Sequence, residues 1–376
     1  MRKILILTGR YLPGHKDGGP LRTIINITEA LGNDYEFYIV CLDRDHGDTK
    51  SYPYIEYERW NIVGKAKVWY VKPGGFSYDL IKKVSSGKDL IYTCGFYESY
   101  GYKTLILNQL GKLQGIPVIV AAMGTFSEGA LSHKPLKKKL FINVCKVFGL
   151  FKKVKWSVTS EVELEDVKKN IGENAECIIA EDIPRTSVPG IDFNKIAEGP
   201  LKVTFLSRIC SSKNLLGAIK SLERLKCDIK FTIYGPEEDA DYWEKCKTEL
   251  KKLPNNIIWS YKGDVSSEMV QEKLQEHDVF LFPTKCENYG HVIFEALSVG
   301  CIPVISDQTP WKIIADRHAG YVLPITEDMD AFTESLMTLV KMQPDQRQHM
   351  AEQAVQIAKE KVEQSKIETG YKKIFG

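Results

Sequence analysis

At 376 residues the chain is long enough for two ordinary domains, each with its own core. With 43% hydrophobic, 10% aromatic and 27% charged residues, its composition is that of a soluble globular protein and excludes a disordered or fibrous chain. A formal net charge of +2 removes any global argument for nucleic-acid binding and confines an electrostatic partner to local patches.

The first strand candidate is Lys3–Thr8. Its apolar run, Ile4 to Leu7, is too short for a signal-peptide core, and no stretch of the chain reaches the length of a membrane span, so the expected location is the cytoplasm. Gly9 closes that strand without a GxGxxG fingerprint, which counts against a dinucleotide cofactor. Gly18-Gly19-Pro20 then precedes a helix over Leu21–Leu31; it suits a tight loop with exposed amides, or an ordinary turn. Further strands are predicted at Glu36–Leu42, Leu90–Thr93, Pro117–Ala121 and Trp156–Thr159, with a helix over Tyr100–Gln114. In the second half, strands at Lys202–Ser207, Lys230–Tyr234, Ile257–Tyr261, Val279–Pro283 and Pro303–Ser306 alternate with helices. These lie over Leu215–Leu225, Ser267–Glu276, His291–Val299 and Asp330–Lys341. Several strands are apolar throughout rather than alternating, as parallel strands covered on both faces require. The alternation predicts βαβ units and doubly wound α/β sheets.

The series runs twice. It lapses at Glu181–Pro200, where Ile183 to Gly190 carries three punctuating Pro and Gly residues, and the boundary is placed at residues 190/191. Beyond Gln343 only helical stretches follow, and the last, Lys359–Phe375, is expected to pack back on the first domain. The nine cysteines are scattered, odd in number and without a CxxC pair, so buried free thiols are expected rather than a disulfide framework or structural zinc. One segment departs from the neutral background: from Lys134 to Lys155 there are eight lysines and no acid, interleaved with Leu136, Leu140, Phe141, Ile142, Val144, Val147, Phe148, Leu150 and Phe151. Such a helix suits an anionic membrane surface; a solvated lysine face over an ordinary core helix is the alternative.

The chemistry concentrates behind Val279–Pro283. Glu287 falls in the loop beyond that strand and Glu295 in the helix that follows; Gly290 lets the backbone approach a ligand, and the amides near His291 and Val292 form a positive helix end suited to phosphate. The carboxylates suit neutral hydroxyls such as those of a ribose or a hexose. Cations come from Lys202–Ser207, which leads to Arg208 and then Lys213. Ligands of open parallel sheets bind at the carboxyl ends of strands, so these groups have reason to converge. Arg and Lys together could stabilise charge on a departing diphosphate without a divalent metal. Asp239-Ala240-Asp241 reads as solvated loop, and no metal site is expected.

Arg208 to Lys213, followed by Glu287-x7-Glu295, with Gly290 three after the first Glu and Ala296-Leu297 after the second, resembles the retaining GT-B glycosyltransferases of family 4. Tyr234-Gly235, Gly263 and Gly300-x2-Pro303-Val304-Ile305 extend the resemblance, which covers about residues 200–325 well and the first half by layout. It implies two Rossmann-like doubly wound domains facing across a cleft: 1–190 for the acceptor and 191–376 for a nucleotide-sugar donor. Arg208 and Lys213 would bind the donor diphosphate, Glu295 the ribose, Glu287 the sugar; Gly290, His291 and Val292 would give amides, and Gly263 to Val265 would lie by the base. Gly18 and Gly19 would hold the reacting phosphate or sugar.

Many members carry a His-Asp pair after the strand corresponding to Pro117–Ala121. Here the chain reads Ala122-Met123-Gly124-Thr125-Phe126-Ser127-Glu128, more like the variant of bacterial surface-polysaccharide transferases. Thr125 and Glu128 are the acceptor-side candidates, Glu128 either meeting an acceptor hydroxyl or capping a turn. The expected activity is transfer of a sugar, with retention, from a nucleoside diphosphate sugar to a glycan or lipid-linked saccharide in cell-envelope polysaccharide synthesis. No cofactor or metal is expected. Rival readings are a sugar-nucleotide epimerase and a non-catalytic nucleotide-sugar-binding protein.

Overall fold

A computed structural model describes residues 1–127, 130–131, 135–190, 199–367 and 369–376. The chain forms two compact units, Met1–Thr186 with Gln364–Gly376, and Ser187–Glu363.

In the first unit the elements run β1 (Arg2–Leu7), α1 (Gly19–Leu31), β2 (Tyr35–Leu42), β3 (Asn61–Val63), β4 (Ala66–Val71), α2 (Tyr78–Ser85), β5 (Leu90–Cys94) and α3 (Ser99–Gln109). They continue with β6 (Val118–Ala121), α4 (Pro135–Val147), β7 (Val154–Val158), α5 (Glu161–Ile171) and β8 (Cys177–Ile179). The sheet order is β3-β4-β2-β1-β5-β6-β7-β8, parallel apart from the β3–β4 pair. Ile4 to Leu7 of β1 and Leu90 to Cys94 of β5 are wholly buried, as expected of central strands flanked on both faces. The order reverses between β1 and β5, so the loop carrying Gly18 and Gly19 leaves the sheet at its switch point. β3, β4 and β8 were not anticipated; β3 and β8 are only three residues each.

The second unit runs β9 (Leu201–Leu206), α6 (Leu215–Leu222), β10 (Ile229–Tyr234), α7 (Ala240–Leu250), β11 (Ile257–Tyr261), α8 (Val270–Gln275) and β12 (Val279–Phe282). After these come α9 (His291–Ser298), β13 (Ile302–Ser306), α10 (Ile313–Asp316), β14 (Tyr321–Leu323) and α11 (Asp330–Lys341). Its all-parallel sheet has the order β11-β10-β9-β12-β13-β14 and switches between β9 and β12. Asp239 is not solvated loop, as its sequence context suggested. Its side chain accepts from the Tyr242 amide at 3.0 Å and caps α7, which holds Asp241 in its first turn.

A 24-residue helix, α12 (Pro344–Ile367), and a short α13 (Gly370–Phe375) end the chain, so Lys359–Phe375 is two elements rather than one. Thr369 caps α13, whose Phe375 ring meets Tyr35, Phe37 and Tyr92 at centroid distances of 5.6, 5.7 and 5.6 Å over the first sheet. The segment read as linker begins inside the first unit. Asp182 is buried and accepts from the hydroxyls of Thr23 (2.9 Å) and Tyr371 (3.0 Å), while Asn26 donates to the Ile183 carbonyl at 2.8 Å. One carboxylate thus ties α1 and α13 to the strand-exit segment. Asp182→Ala leaves two buried hydroxyls without that acceptor, and should lower unfolding free energy by about 2–4 kcal/mol in a urea titration.

Candidate functional site

The loops leaving β9 and β12 meet at the switch point of the second sheet. They are stitched together by backbone and side chain: the Asn214 amide group donates to the Pro283 carbonyl at 2.9 Å and the Lys285 amide to the Ser212 carbonyl at 2.8 Å. Asn214 takes a left-handed conformation (φ 60°), for which Asn is suited, and its side chain caps α6 by accepting from Gly217. This sets Lys213, immediately before it, against the β12 loop. Lys213 Nζ pairs with Glu287 Oε1, and Thr284 Oγ1 donates to the same oxygen at 3.3 Å. Both charged side chains are largely buried. A lysine and a glutamate 74 residues apart in sequence therefore form one polar centre.

Glu287 is held at its backbone as well, its amide donating to the Gln308 carbonyl at 3.1 Å. Gly290 follows with φ 79° and begins α9 as a left-handed cap with no side-chain cap bond. His291 and Val292 are the first residues of that helix, and Glu295 lies one turn further in, almost fully buried. The His291 ring lies against Tyr289, centroids 4.8 Å apart.

Arg208 is placed differently. It stands after β9, but its guanidinium is half-exposed and turned to Glu238 in the loop after β10. The structure therefore brings Lys213 and Glu287 together and turns Arg208, on the same loop as Lys213, toward the neighbouring loop after β10. Glu238 carried no pattern that marked it in sequence. Gly263 joins this edge by accepting from the Gly235 amide at 2.8 Å, and Val265 packs on the second unit's core. Among the described residues there is no group of three or more His, Cys, Asp or Glu side chains placed to hold a metal ion.

The candidates in the first unit are described by themselves. Gly18 (φ 65°) caps α1 and Gly19 is its first residue; the loop before them is fixed by Asp45, a buried residue the sequence reading missed. Asp45 accepts from the amides of His15 (2.7 Å), Lys16 (3.1 Å) and His46 (3.0 Å). Thr125 lies in a turn after β6, its hydroxyl bonded to the Ala122 carbonyl. That turn is gripped by a second missed residue, the buried Glu163, whose carboxylate accepts from the amides of Gly124 and Thr159 and from the Thr159 hydroxyl. Burial pushes the Glu163 carboxyl up from its ordinary value, against the pull of those bonds. Both acids reach an amide 29 or more residues away, Lys16 for Asp45 and Gly124 for Glu163, and those long contacts are revealed only by the fold; Glu163 also stands at the capping-box spacing from Ser160, which caps α5. Glu128 lies outside the described residues.

No curated protein sequence matches the chain. Residues 191–357 match the family described as "Glycosyl transferases group 1". Among solved structures, sucrose-phosphate synthase from Thermosynechococcus elongatus is similar over 96% of this chain and 94% of its own, with a TM-score of 0.72 and 13% identity. Anabaena Alr3699/HepE, solved in complex with UDP and glucose, aligns over 96% and 95% with a TM-score of 0.70 and 14% identity. WaaG, a glycosyltransferase involved in lipopolysaccharide biosynthesis, aligns over 95% of both chains with a TM-score of 0.63 and 14% identity. At such identities these likenesses establish the fold. The chain has the GT-B fold of two parallel-sheet α/β domains, and residues 191–357 are similar to the glycosyl transferases group 1 family.

Proposed function

We propose that the chain moves a sugar from a nucleoside diphosphate sugar to a glycan or lipid-linked saccharide, with retention, in the manner of family 4, for cell-envelope polysaccharide synthesis. The observation that carries this reading is the Lys213–Glu287 pair at the β9/β12 switch point, beside the N-terminus of α9. An ammonium has three donors, so Lys213 can keep Glu287 and still reach a phosphate oxygen. Arg208, half-exposed at the start of the same loop, can rotate from a surface acid to a phosphate, which it binds bidentately. The two cations offset the charge that grows on the diphosphate as the glycosidic bond breaks, which is the service a divalent metal would otherwise provide. Glu287 accepts from donor-sugar hydroxyls and Glu295 from the ribose, while Gly290, His291 and Val292 present amides. Gly263 and Val265 border the base. Gly18 and Gly19 are the remaining candidates for the donor, and Thr125 and Glu128 for the acceptor.

A thermal-shift panel of UDP-, GDP-, ADP- and CMP-sugars tests donor binding directly. One nucleotide class should raise Tm in a concentration-dependent way, by the equivalent of about 2.7 kcal/mol at a hundredfold excess over Kd. A flat response to all four classes would remove the donor assignment.

A further inference from the structure

Five large apolar side chains of one short stretch face solvent: Leu136, Leu140, Val144, Val147 and Phe148, each between 43% and 84% exposed. They belong to α4 and the turn that extends it, where the Phe148 amide still donates to the Val144 carbonyl at 3.0 Å. At helical spacing, positions 136, 140, 144, 147 and 148 fall within about 120° of arc, a single stripe. The opposite face carries Ile142 and Cys145, which are buried in the first unit's core with Phe141 packed against it. The helix therefore has two apolar faces, one spent on the core and one left outward. Isolated exposed apolar residues are ordinary, whereas a contiguous stripe of five marks a binding surface.

The charges around the stripe select its occupant. Lys139 and Lys146 flank one side of the stripe and Lys137 lies within its other edge, between Val144 and Phe148, and all three are exposed. Residues 135–155 hold seven lysines and no acid. A second copy of the chain would bring two such cationic rims together, and a soluble apolar groove would not need them. Apolar side chains bordered by lysines match a lipid surface, where the stripe enters the acyl boundary and the ammonium groups meet anionic headgroups. We propose that α4 and Phe148 form a docking surface for an anionic bilayer, with Leu136, Leu140, Val144, Val147 and Phe148 inserted and Lys137, Lys139 and Lys146 at the headgroups. No helix among the described residues is long and apolar enough to cross a membrane, so the contact is one of surface insertion. The proposal rests on this surface and not on sugar transfer, and each can fail without the other.

The test uses the full chain, with no donor or acceptor present. Vesicles of about one-third phosphatidylglycerol in phosphatidylcholine should sediment the protein, and pure phosphatidylcholine should not. Raising salt from about 0.1 to about 0.5 M should weaken binding roughly tenfold, as should the triple change Lys137→Gln, Lys139→Gln and Lys146→Gln. The triple change Leu140→Ser, Val147→Ser and Phe148→Ser should weaken it at least about tenfold through lost insertion, with Tm unchanged because the three side chains are exposed. If Tm falls, Phe148→Trp decides: its emission should shift to the blue on anionic vesicles only. Absence of sedimentation, serine-variant binding equal to wild type, or a Trp emission that does not move would each overturn the proposal. So would a concentration-dependent dimer that the serine changes abolish, because a second copy would then be the occupant.

Discussion

Lys213→Ala should lower kcat for sugar transfer by about 10²–10³-fold, with KM for the donor changing much less. The asymmetry follows from where charge develops. In the proposed donor complex the ground-state diphosphate is already anionic and would have the α9 amides and Arg208 as partners. In the transition state further charge gathers on the leaving oxygen, and a largely enclosed ammonium there acts with little competition from water. Glu287→Gln should lose activity for a different reason: it keeps the size of the side chain but removes the charge that fixes Lys213. It also replaces one of two accepting oxygens with a donor. Neither change should unfold the protein, because the two loops stay joined by the Asn214–Pro283 and Lys285–Ser212 bonds. A steady-state transfer assay with a thermal melt alongside checks both. Near-wild-type turnover in both variants would falsify the donor-site assignment, and a collapsed melt would show that the pair is structural.

Why this pair could be anticipated is a matter of topology. Val279 to Phe282 is a buried apolar run that reads as a central parallel strand, and β9, apolar apart from Lys202 and Thr204, reads as another. Residues just past such strands sit at one edge of the sheet wherever they fall in the chain, so Lys213 and Glu287 could be brought together on paper across 74 positions. The partners of those residues could not. Glu238 reaches Arg208 through a loop that carries no motif, and Asp45 and Glu163 hold distant backbone amides, an interaction that leaves no periodicity behind. Short strands escaped for a related reason: three residues, as in β14, are too few to show any period. The α4 segment was legible as a basic amphipathic stretch, but its apolar residues divide between two faces. Composition does not say which of them the core takes.

Gly235→Ala should be the most destabilising single-methyl change in the second unit, lowering unfolding free energy by about 3 kcal/mol or more. Gly235 follows β10 with φ at 134°, a conformation that L side chains rarely adopt. The space is closed as well: a Cβ there would lie 1.8 Å from the Ser207 carbonyl oxygen and 2.6 Å from its carbon. Both are backbone atoms, so no rotamer can yield. Nor can the glycine move away, since its amide donates to Gly263 at 2.8 Å and its carbonyl accepts from the Tyr261 hydroxyl at 2.9 Å. The strain must therefore pass into Ser207, the residue next to Arg208, and the variant should lose transfer activity beyond what its loss of stability explains. Gly263→Ala is the internal control. Its φ of 76° is also left-handed, but nothing lies within 4 Å of the added Cβ, so the expected cost is only the backbone term of about 1–2 kcal/mol. Urea titrations of the two variants separate steric from conformational strain. Equal losses would mean that the β9 and β10 loops are not pressed together as tightly as the Ser207–Gly235 approach requires.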